Sequence, residues 1–425
     1  MATTGYQAAL DSNDVILSYI PEVTWGVTPT ASPAFKKIRL DSEGFSGQKT
    51  RTKPNEIDPS GQASASITTK EESTGSLNFS VSAGTHNDLL AASLGGVFTS
   101  TGPIAAAGYV GSDVSISAAS GTTCTLLATA GAFTSTNLLV VGQFIKLYAA
   151  GAPTQCGTAR VVTVAAATLT LDCCSWVPAI TVAGTMGSCT IKASMLRNGT
   201  TFNSFTFLKQ LSALLNLRYA GAFPTGGSLD VGVGDYLKGT LAFLNKSEVS
   251  ATDMTFFTTP TFASAPTGTV IDSIKGIGTV WRGQDTGTTA GAVSAISGIV
   301  QKIGVKWNKD GAASQYGIGS ASAAGVRSGK QIITGTISTY FKDFSLYSQY
   351  TGEVSGPISF SAMDGPASAL ASKGYVITFC NATIMNPKIV AGGAGQDIMA
   401  DFEIEGNPDV TSMFGGRTIQ VDYFA

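Results

Sequence analysis

Charged side chains are scarce in this sequence. Asp, Glu, Lys and Arg make up 13% of its 425 residues, about half of the ~25% that is usual for a globular domain. The formal net charge is −2, which argues against a protein that binds nucleic acid by neutralising phosphates. The single histidine, His86, excludes a His-rich metal site and leaves only one candidate base for a Ser–His or Cys–His pair.

Segments that direct a chain to a membrane and motifs that support catalysis are also missing. Residues 1–20 have no basic start and no apolar run of signal-peptide length, and no stretch reaches ~18 uninterrupted apolar residues. The common phosphate-loop, zinc-protease, nucleophile-elbow and dinucleotide-binding motifs do not occur. We therefore expect no enzyme, no cofactor, no metal site, no membrane contact and no secretion.

The six cysteines do not form a metal-binding pattern, because no CxxC pair occurs and the only histidine is distant. One interpretation is that they are small buried hydrophobic side chains. The other is that one or two disulfides tie a small β-domain after release into an oxidising medium. The neighbours Cys173 and Cys174 should point to opposite faces of a strand and are not expected to bond to each other. The remaining cysteines are Cys124, Cys156, Cys189 and Cys380.

Glycine and small polar or β-branched side chains take the place of charge. There are 50 glycines, and 43% of the residues are hydrophobic, so the chain can bury a large core. Such a composition favours an all-β structural protein. Its surface needs few solubilising charges if other copies of the chain cover much of it.

The chain contains an internal two-fold repeat, which organises the rest of the sequence. In the first half, a strand at residues 37–40 leads into a long polar stretch, 41–75, and then into an alternating strand at 77–81. A short helix follows, with Thr85 as the expected N-cap and the Gly95–Gly96 pair as the stop.

The second half repeats this order. A strand at 302–305 is followed by a polar stretch at 308–329, a strand at 333–337 and a helical segment at 342–350. Each half then ends in a long hairpin whose closing strand alternates with period two, as in YLKGTLAFLN and IMADFEIEG.

The halves differ by one long insertion, which reads as a compact β-domain of strand-like runs separated by turns. The expected organisation is a first module of residues 1–102 plus 196–257, an inserted β-domain at 103–195, a linker at 258–297 and a second module at 298–425.

The ordered set of motifs resembles the major tail tube proteins of long-tailed, non-contractile bacteriophages. The similarity begins with Glu22 and Trp25–Gly26 ahead of a proline. It continues through STGSLNFSVSAGTHNDLLAASLGG, GAF…VGQFIKL…RVVTVAAATLTL and YLKGTLAFLNKSE, and through TGTISTYFKDFSLYSQYTG and GQDIMADFEIEGNPD in the second half. It covers nearly the whole chain.

The resemblance implies two similar β-sandwich or β-barrel modules, each with one short helix, and an Ig-like or small-barrel insert outside the tube. Rings of six modules stack into a hollow tube, so a two-module chain closes a pseudo-hexameric ring as a trimer, and a ring of six chains is the alternative. The implied partners are other copies of the chain, a tape-measure protein, tail terminator and tail-tip proteins, and double-stranded DNA in passage. The implied location is the virion tail, assembled in the cytoplasm of the bacterial host.

Two sets of residues are candidate functional sites. The charged stretch 41–75 is expected to reach the neighbouring ring, and its alternative is a solvated flexible loop. The terminal hairpins are expected to line the lumen with carboxylates that repel phosphates; ordinary intramolecular sandwich strands are the alternative. The inter-ring candidates are Lys49, Arg51, Lys53, Glu56 and Asp58, and the lumen candidates are Asp230, Asp235, Asp397 and Asp401.

Two other functions remain open at this stage. The chain could be another virion β-protein, such as a baseplate or decoration subunit. It could also be a carbohydrate-binding adhesin module in which the Thr/Ser-rich insert binds sugar.

Overall fold

The computed structural model describes residues 10–57, 59–98, 109–111, 113–128, 133, 139–187, 189–212, 214–296 and 299–425. Asp58, one of the inter-ring candidates, therefore lies outside the described residues. The described part of the chain forms 28 β-strands, two short α-helices and two single-turn 3-10 helices at Ser12–Asp14 and Pro153–Gln155.

The elements follow one another along the chain in four groups. Before the insertion come β1 (Ile16–Pro21), β2 (Ala34–Lys37), β3 (Ser42–Glu43), β4 (Ser46–Thr52), β5 (Ile67–Ser80) and α1 (Asn87–Ser93). The insertion holds β6 (Tyr109–Gly111), β7 (Ser115–Ser120), β8 (Thr123–Leu127), β9 (Phe144–Ala149), β10 (Gly157–Val164), β11 (Thr168–Asp172) and β12 (Cys189–Lys192). After it come β13 (Met195–Arg197), β14 (Phe205–Gln210), β15 (Asn216–Gly232), β16 (Lys238–Asn245), β17 (Ser247–Ala251) and β18 (Thr261–Phe262). The last group is β19 (Ile277–Gly283), β20 (Val293–Ala295), β21 (Val300–Asp310), β22 (Ala313–Gln315), β23 (Gly325–Arg327), β24 (Lys330–Tyr340), α2 (Ser345–Thr351), β25 (Gly356–Met363), β26 (Gly374–Val390), β27 (Met399–Asn407) and β28 (Ile419–Phe424).

The predicted all-β fold is confirmed. Most of the regular structure is β-strand, and each of the two α-helices is seven residues long. The strands form packed sheets as in a β-sandwich, and no sheet closes into a barrel within the described residues.

A central sheet of eight strands runs through both halves of the chain. Consecutive antiparallel pairings give the order β4–β5–β16–β15–β21–β24–β27–β26. The strands between the two edge strands β4 and β26 alternate between buried apolar and exposed polar side chains, as β16 and β24 show most regularly. Because neighbouring residues in a strand point to opposite faces, the sheet has one apolar face and one polar face.

Glycines on the apolar face make room for buried aromatic rings. A Cβ atom at Gly239 would lie 2.4 Å from the ring of Phe79, and one at Gly335 would lie 2.5 Å from the ring of Phe379. Both rings are fully buried in the main core. Part of the high glycine content thus serves close packing of this sheet.

The pairing pattern is the same in the two halves. The order β5, α1, β14, β15, β16 in the first half corresponds to β24, α2, β25, β26, β27 in the second. The pairings β5–β16, β14–β15 and β15–β16 recur as β24–β27, β25–β26 and β26–β27. Strand β1 lies beside β14 as β19 lies beside β25. Asn78 precedes α1 by the same number of residues as Thr336 precedes α2. Asn78 faces Ser42 in the adjacent strand, and Thr336 faces Gly304. The counterpart of β21 is therefore β3 with β4, and the expectation of a strand at 37–40 in this role is wrong.

A second layer covers the apolar face. β15 and β26 belong to both layers, because their first halves pair with β14 and β25 and their second halves with β16 and β27. β15 turns between the layers at Gly221, whose φ is +70°, a conformation that favours glycine. The core lies between the layers and also buries Leu89 and Leu90 of α1 and Leu346 of α2.

The start of the first helix differs from its prediction. The N-cap position is His86, which makes no side-chain capping bond. The hydroxyl of Thr85 lies 2.7 Å from that of Ser82 instead, so Thr85 is not the cap.

The polar stretch 41–75 contains more regular structure than its composition predicts. β3 and β4 pair with β5 over much of its length. We define the charged hairpin as residues 46–72. Both faces of β4 are exposed along its whole length, so the hairpin lacks the buried alternating residues by which strands are recognised in a sequence.

The insertion forms a separate seven-stranded sheet in the order β6–β12–β9–β10–β11–β8–β7. Its own core includes Leu126, Leu147, Val161 and Leu171. All six cysteines of the chain are buried, and none forms a disulfide. This arrangement agrees with the interpretation of the cysteines as small apolar side chains.

The insertion packs firmly on the second half of the chain. Phe144 and Cys173 share a small core with Trp281, Met363 and Val376. Trp281 and Val376 are on the face of the second layer that points away from the main core, since their neighbours Val280 and Ile377 belong to that core. The insertion thus adds a third layer, on the far side of the molecule from the polar face of the central sheet.

Buried polar groups fasten this contact. The Lys146 ammonium donates to the carbonyl oxygens of Leu370 and Ser372, and burial lowers the pKa of Lys146 to about 8. The Gln420 side-chain amide donates to the carbonyl oxygen of Gly142 in the insertion at 2.9 Å and to the carboxyl of Asp422 at 2.7 Å. Burial raises the pKa of Asp422 to about 8, so its carboxyl is protonated at neutral pH.

Replacing Gly239 by alanine should destabilise the fold. The new methyl group would collide with the buried Phe79 ring, and overpacking of this kind costs roughly 1–3 kcal/mol. Gly393→Ala is the matched control, because no atom lies within 4 Å of that position and its φ is not in the left-handed region. Urea unfolding of both variants checks the prediction, and equal unfolding midpoints would contradict it.

Asp422 should make the stability of the chain depend on pH. An unfolded aspartate has a pKa of about 3.9, so the folded chain holds an extra proton between about pH 4 and pH 8 and loses stability as pH rises through that window. Asp422→Asn should remove this contribution and raise the melting temperature more at pH 8 than at pH 5. Thermal unfolding across this range is the measurement. An unchanged difference between variant and wild type at the two pH values would count against the assignment.

Candidate functional site: the polar face of the central sheet

The register of the eight strands places polar side chains from both halves in continuous rows. Residues that face each other in adjacent antiparallel strands share one face of the sheet. One row is Ser80, Lys238, Asp230, Gly304, Thr336, Glu403 and Met385. The next row is Asn78, Thr240, Ser228, Lys306, Thr334, Glu405 and Thr383.

A third, shorter row lies on the other side of the first one. It holds Lys302, Ser338, Asp401 and Lys388. These three rows define the polar face. The hydroxyls of Ser228 and Thr240 lie 3.0 Å apart across two strands, and the Asn386 amide donates to Glu403 at 2.6 Å.

Two of the four lumen candidates lie on the polar face, and two lie beyond it. Asp230 and Asp401 stand in its rows. Asp235 lies in the turn between β15 and β16, where its carboxylate pairs with the Lys238 ammonium at 2.6 Å. Asp397 is exposed in the connection between β26 and β27.

The polar face carries charges of both signs in equal number. The acids are Asp230, Asp401, Glu403 and Glu405, and the bases are Lys238, Lys302, Lys306 and Lys388. The sequence analysis predicts a surface rich in carboxylates because it considers the terminal hairpins alone. Strand β21, which lies between the two hairpins in the sheet, adds Lys302 and Lys306 to this face. Arg218, which the hairpin sequence includes, is not on this face, since its guanidinium stacks on the Phe256 ring at 4.6 Å.

Hydroxyl and amide groups therefore set the character of this surface as much as charge does. The acids concentrate on β27, where Asp401, Glu403 and Glu405 alternate with buried Phe402 and Ile404. The lysines lie mainly on β16 and β21. Neither sign forms a patch across the whole sheet.

The four inter-ring candidates that the structure describes lie on the charged hairpin. Lys49 and Arg51 are on β4, and Lys53 and Glu56 are in the connection to β5; all four are exposed. The Lys49 ammonium pairs with Glu71 at 2.8 Å, and Glu56 accepts a hydrogen bond from Ser64 at 2.6 Å. The hairpin carries its charges beyond the body of the sheet.

The second half of the chain supports the base of the charged hairpin. The Tyr316 hydroxyl donates to the carbonyl oxygen of Glu71 at 3.1 Å, and the Glu71 amide donates to the carbonyl oxygen of Ala321 at 2.8 Å. The Lys70 ammonium lies 4.7 Å from the centre of the Tyr316 ring. The two polar stretches of the repeat thus lie side by side at one end of the sheet.

The histidine is a core residue. His86 is fully buried, its ring stacks on Phe79 with centroids 3.9 Å apart, and its Nε2 lies 3.1 Å from the carbonyl oxygen of Arg39. Burial lowers the pKa of His86 to about 4, so the ring is neutral at pH 7. In this position it has no access to a substrate.

Within the described ranges, no three His, Cys, Asp or Glu side chains come close enough to hold a metal ion. Neither α-helix of the described chain has the length and apolar character that crossing a membrane requires.

A known protein family matches the part of the sequence that forms this sheet. The family model described as "Phage tail tube protein" matches residues 12–406. No curated protein matches the chain. The match includes both helices and the eight strands of the central sheet up to the last residue of β27, and it confirms the resemblance seen in the sequence. The chain therefore belongs to the phage tail tube protein family and is a structural component of the virion tail.

Proposed function

We propose that this chain forms the wall of a hollow tail tube, with the polar face of the central sheet turned towards the bore. The observation that carries the proposal is the continuous sheet of eight strands with one face packed and the other polar and open. Among the described residues, both edges of that sheet are unpaired in a single chain, which is a liability unless another chain pairs with them.

The junction between the two halves indicates how chains join. Residues 226–232 of β15 pair with residues 302–308 of β21. In the second half, Lys388 occupies the place of Asp230. Asp230 faces Lys238 on β16, and Lys388 faces Asp401, which is the counterpart of Lys238 on β27. The same contact between chains pairs the segment around Lys388 with the segment around Ser42 of the next chain. Within the described residues, both segments have strand partners on one side only.

The sheet geometry favours a trimeric ring. Three chains supply 24 strands, which at ~4.8 Å spacing and modest tilt close a cylinder about 40 Å in diameter between backbones. Side chains take up about 5 Å on each side, half of the usual spacing between packed sheets. The resulting bore of about 30 Å accommodates a DNA duplex. A ring of six chains would be about twice as wide and would guide a duplex poorly.

The polar face suits a passive conduit. Its acids and bases balance, so phosphates meet no continuous positive surface on which to bind. Its small hydroxyl-bearing side chains present no apolar patch. In this proposal the chain performs no catalysis: the tube encloses a tape-measure protein during assembly in the host cytoplasm and conducts DNA during ejection. Tail terminator and tail-tip proteins cover its two ends.

The division of the chain follows from this arrangement. The sequence predicts a first module of residues 1–102 and 196–257, an insertion at 103–195, a linker at 258–297 and a second module at 298–425. We propose one change to these bounds: because β19 pairs with β25, the second module starts at about residue 277. The insertion lies outside the tube, where it stiffens the wall by packing on the second module.

The charged hairpin is the proposed contact between stacked rings. Lys49, Arg51, Lys53 and Glu56 extend beyond the sheet with both signs of charge, which suits a salt-sensitive contact with the next ring. Its support by Tyr316 holds it in a fixed direction.

Rings released from assembled tubes should contain three chains. Three chains of 43.4 kDa give a mass of about 130 kDa. Mass photometry of tubes dissociated at low concentration measures this value. A species of about 260 kDa would establish the six-chain ring, and monomers alone under all assembly conditions would contradict the proposed tube.

Charge reversal on β27 should impair the conduit without preventing assembly. Asp401, Glu403 and Glu405 changed together to lysine would make the polar face strongly positive, so that DNA phosphates bind to it. We expect tubes of normal length and slow, incomplete DNA ejection. The control changes the same residues to Asn, Gln and Gln, which leaves a smaller excess of lysine on the face and should slow ejection less. Normal ejection through the lysine-lined tube would rule out this face as the bore.

A further inference from the structure

The start and one face of the second helix carry a row of aromatic side chains that is largely exposed within the described residues. Phe344, at the N-cap of α2, and Tyr347 and Tyr350 within it are spaced three residues apart. The ring centroids of Phe344 and Tyr347 are 5.7 Å apart, and those of Tyr347 and Tyr350 are 6.0 Å apart. Phe344 is 63% exposed and Tyr350 is 41% exposed. Aromatic side chains rarely remain in water in this arrangement unless a partner covers them.

The corresponding surface of α1 is covered. By position relative to the helix starts, Leu89 and Ala92 are the counterparts of Tyr347 and Tyr350, and both are buried. Part of this cover comes from β21 in the other half of the chain. The Trp307 indole donates to Ser93 at 3.1 Å, and the Lys309 ammonium donates to the carbonyl oxygen of Ala92 at 3.3 Å.

If the junction between halves repeats between chains, the strand that lies over α2 is β4 of the next chain. Gly47 is the counterpart of Lys309 in this register. Gly47 faces Ser73 and Lys309 faces Gln331, and Ser73 and Gln331 lie equally far before α1 and α2. Within one chain, the Lys309 side chain reaches back to α1. Between chains, Gly47 presents no side chain of its own, and the Glu248 side chain of the same chain lies beside it.

We propose that Tyr347 and Tyr350 are the anchor of the contact between chains and that a second copy of this chain, through the segment around Gly47, is their partner. The proposal rests on the ring assembly proposed above and adds the residues that stabilise its closure. Tyrosine is among the residues that most often dominate the energy of protein interfaces, because its ring buries a large area with few rotatable bonds.

The double variant Tyr347→Ala/Tyr350→Ala tests this contact. Because Tyr350 is exposed in the single chain, the monomer should keep its melting temperature within a degree or two. Loss of two anchors should raise the protein concentration needed for tube formation by roughly tenfold or more. Tyr347→Phe/Tyr350→Phe keeps both rings and should assemble close to the wild-type concentration.

Electron microscopy and sedimentation across a concentration series give the readout. Failure of the wild-type chain itself to form rings would overturn the ring proposal. Wild-type rings together with unchanged assembly of the alanine variant would overturn only the assignment of the tyrosines. If the alanine variant loses thermal stability as a monomer, hydroxyl-radical labelling of the wild type decides: the two tyrosines must react in the monomer and be protected in the tube, and equal labelling in both states refutes the contact.

Discussion

The antiparallel pairing of β15 with β21 is the interaction on which the rest of the structure depends. It joins the two halves of the chain into one sheet and places their polar side chains on a common face. It also brings Trp307 and Lys309 of the second half over α1 of the first half. The low charge of the sequence follows from the same constraint, since surfaces that meet copies of themselves need few charges to stay soluble.

The three layers have separate tasks in this account. The central sheet presents a polar surface, the second layer closes the core, and the insertion covers the outer face of the second half through Phe144, Lys146 and Asp422. In the first half, the segment around Phe257 covers the corresponding outer face, where it packs on Ile20, Phe35 and Leu208. The two halves therefore share an inner architecture and differ in what shields them outside.

The sequence alone predicted the features that rest on apolar periodicity. The strands through Phe79 and Ile337, both short helices and the two terminal hairpins follow from alternation and helix stop signals. The edge strand β4 was missed because both of its faces are exposed, so no alternation marks it. The charge balance of the polar face was misjudged because Lys302 and Lys306 join it only through the pairing between halves, a long-range contact that no local pattern encodes.

The central claim is that the contact within one chain repeats between chains, and a cysteine cross-link tests it most directly. Ser42→Cys and Lys388→Cys in one chain place thiols at opposite edges of the sheet, and Asp230→Cys with Gly304→Cys is the matched pair within a chain. Directly opposed strand residues are close enough for a disulfide or a short linker. Oxidised tubes should give covalent products that end at three chains for the first pair and monomers with an internal link for the second. Absence of cross-linking between chains for the first pair, while the second pair links, would contradict the account.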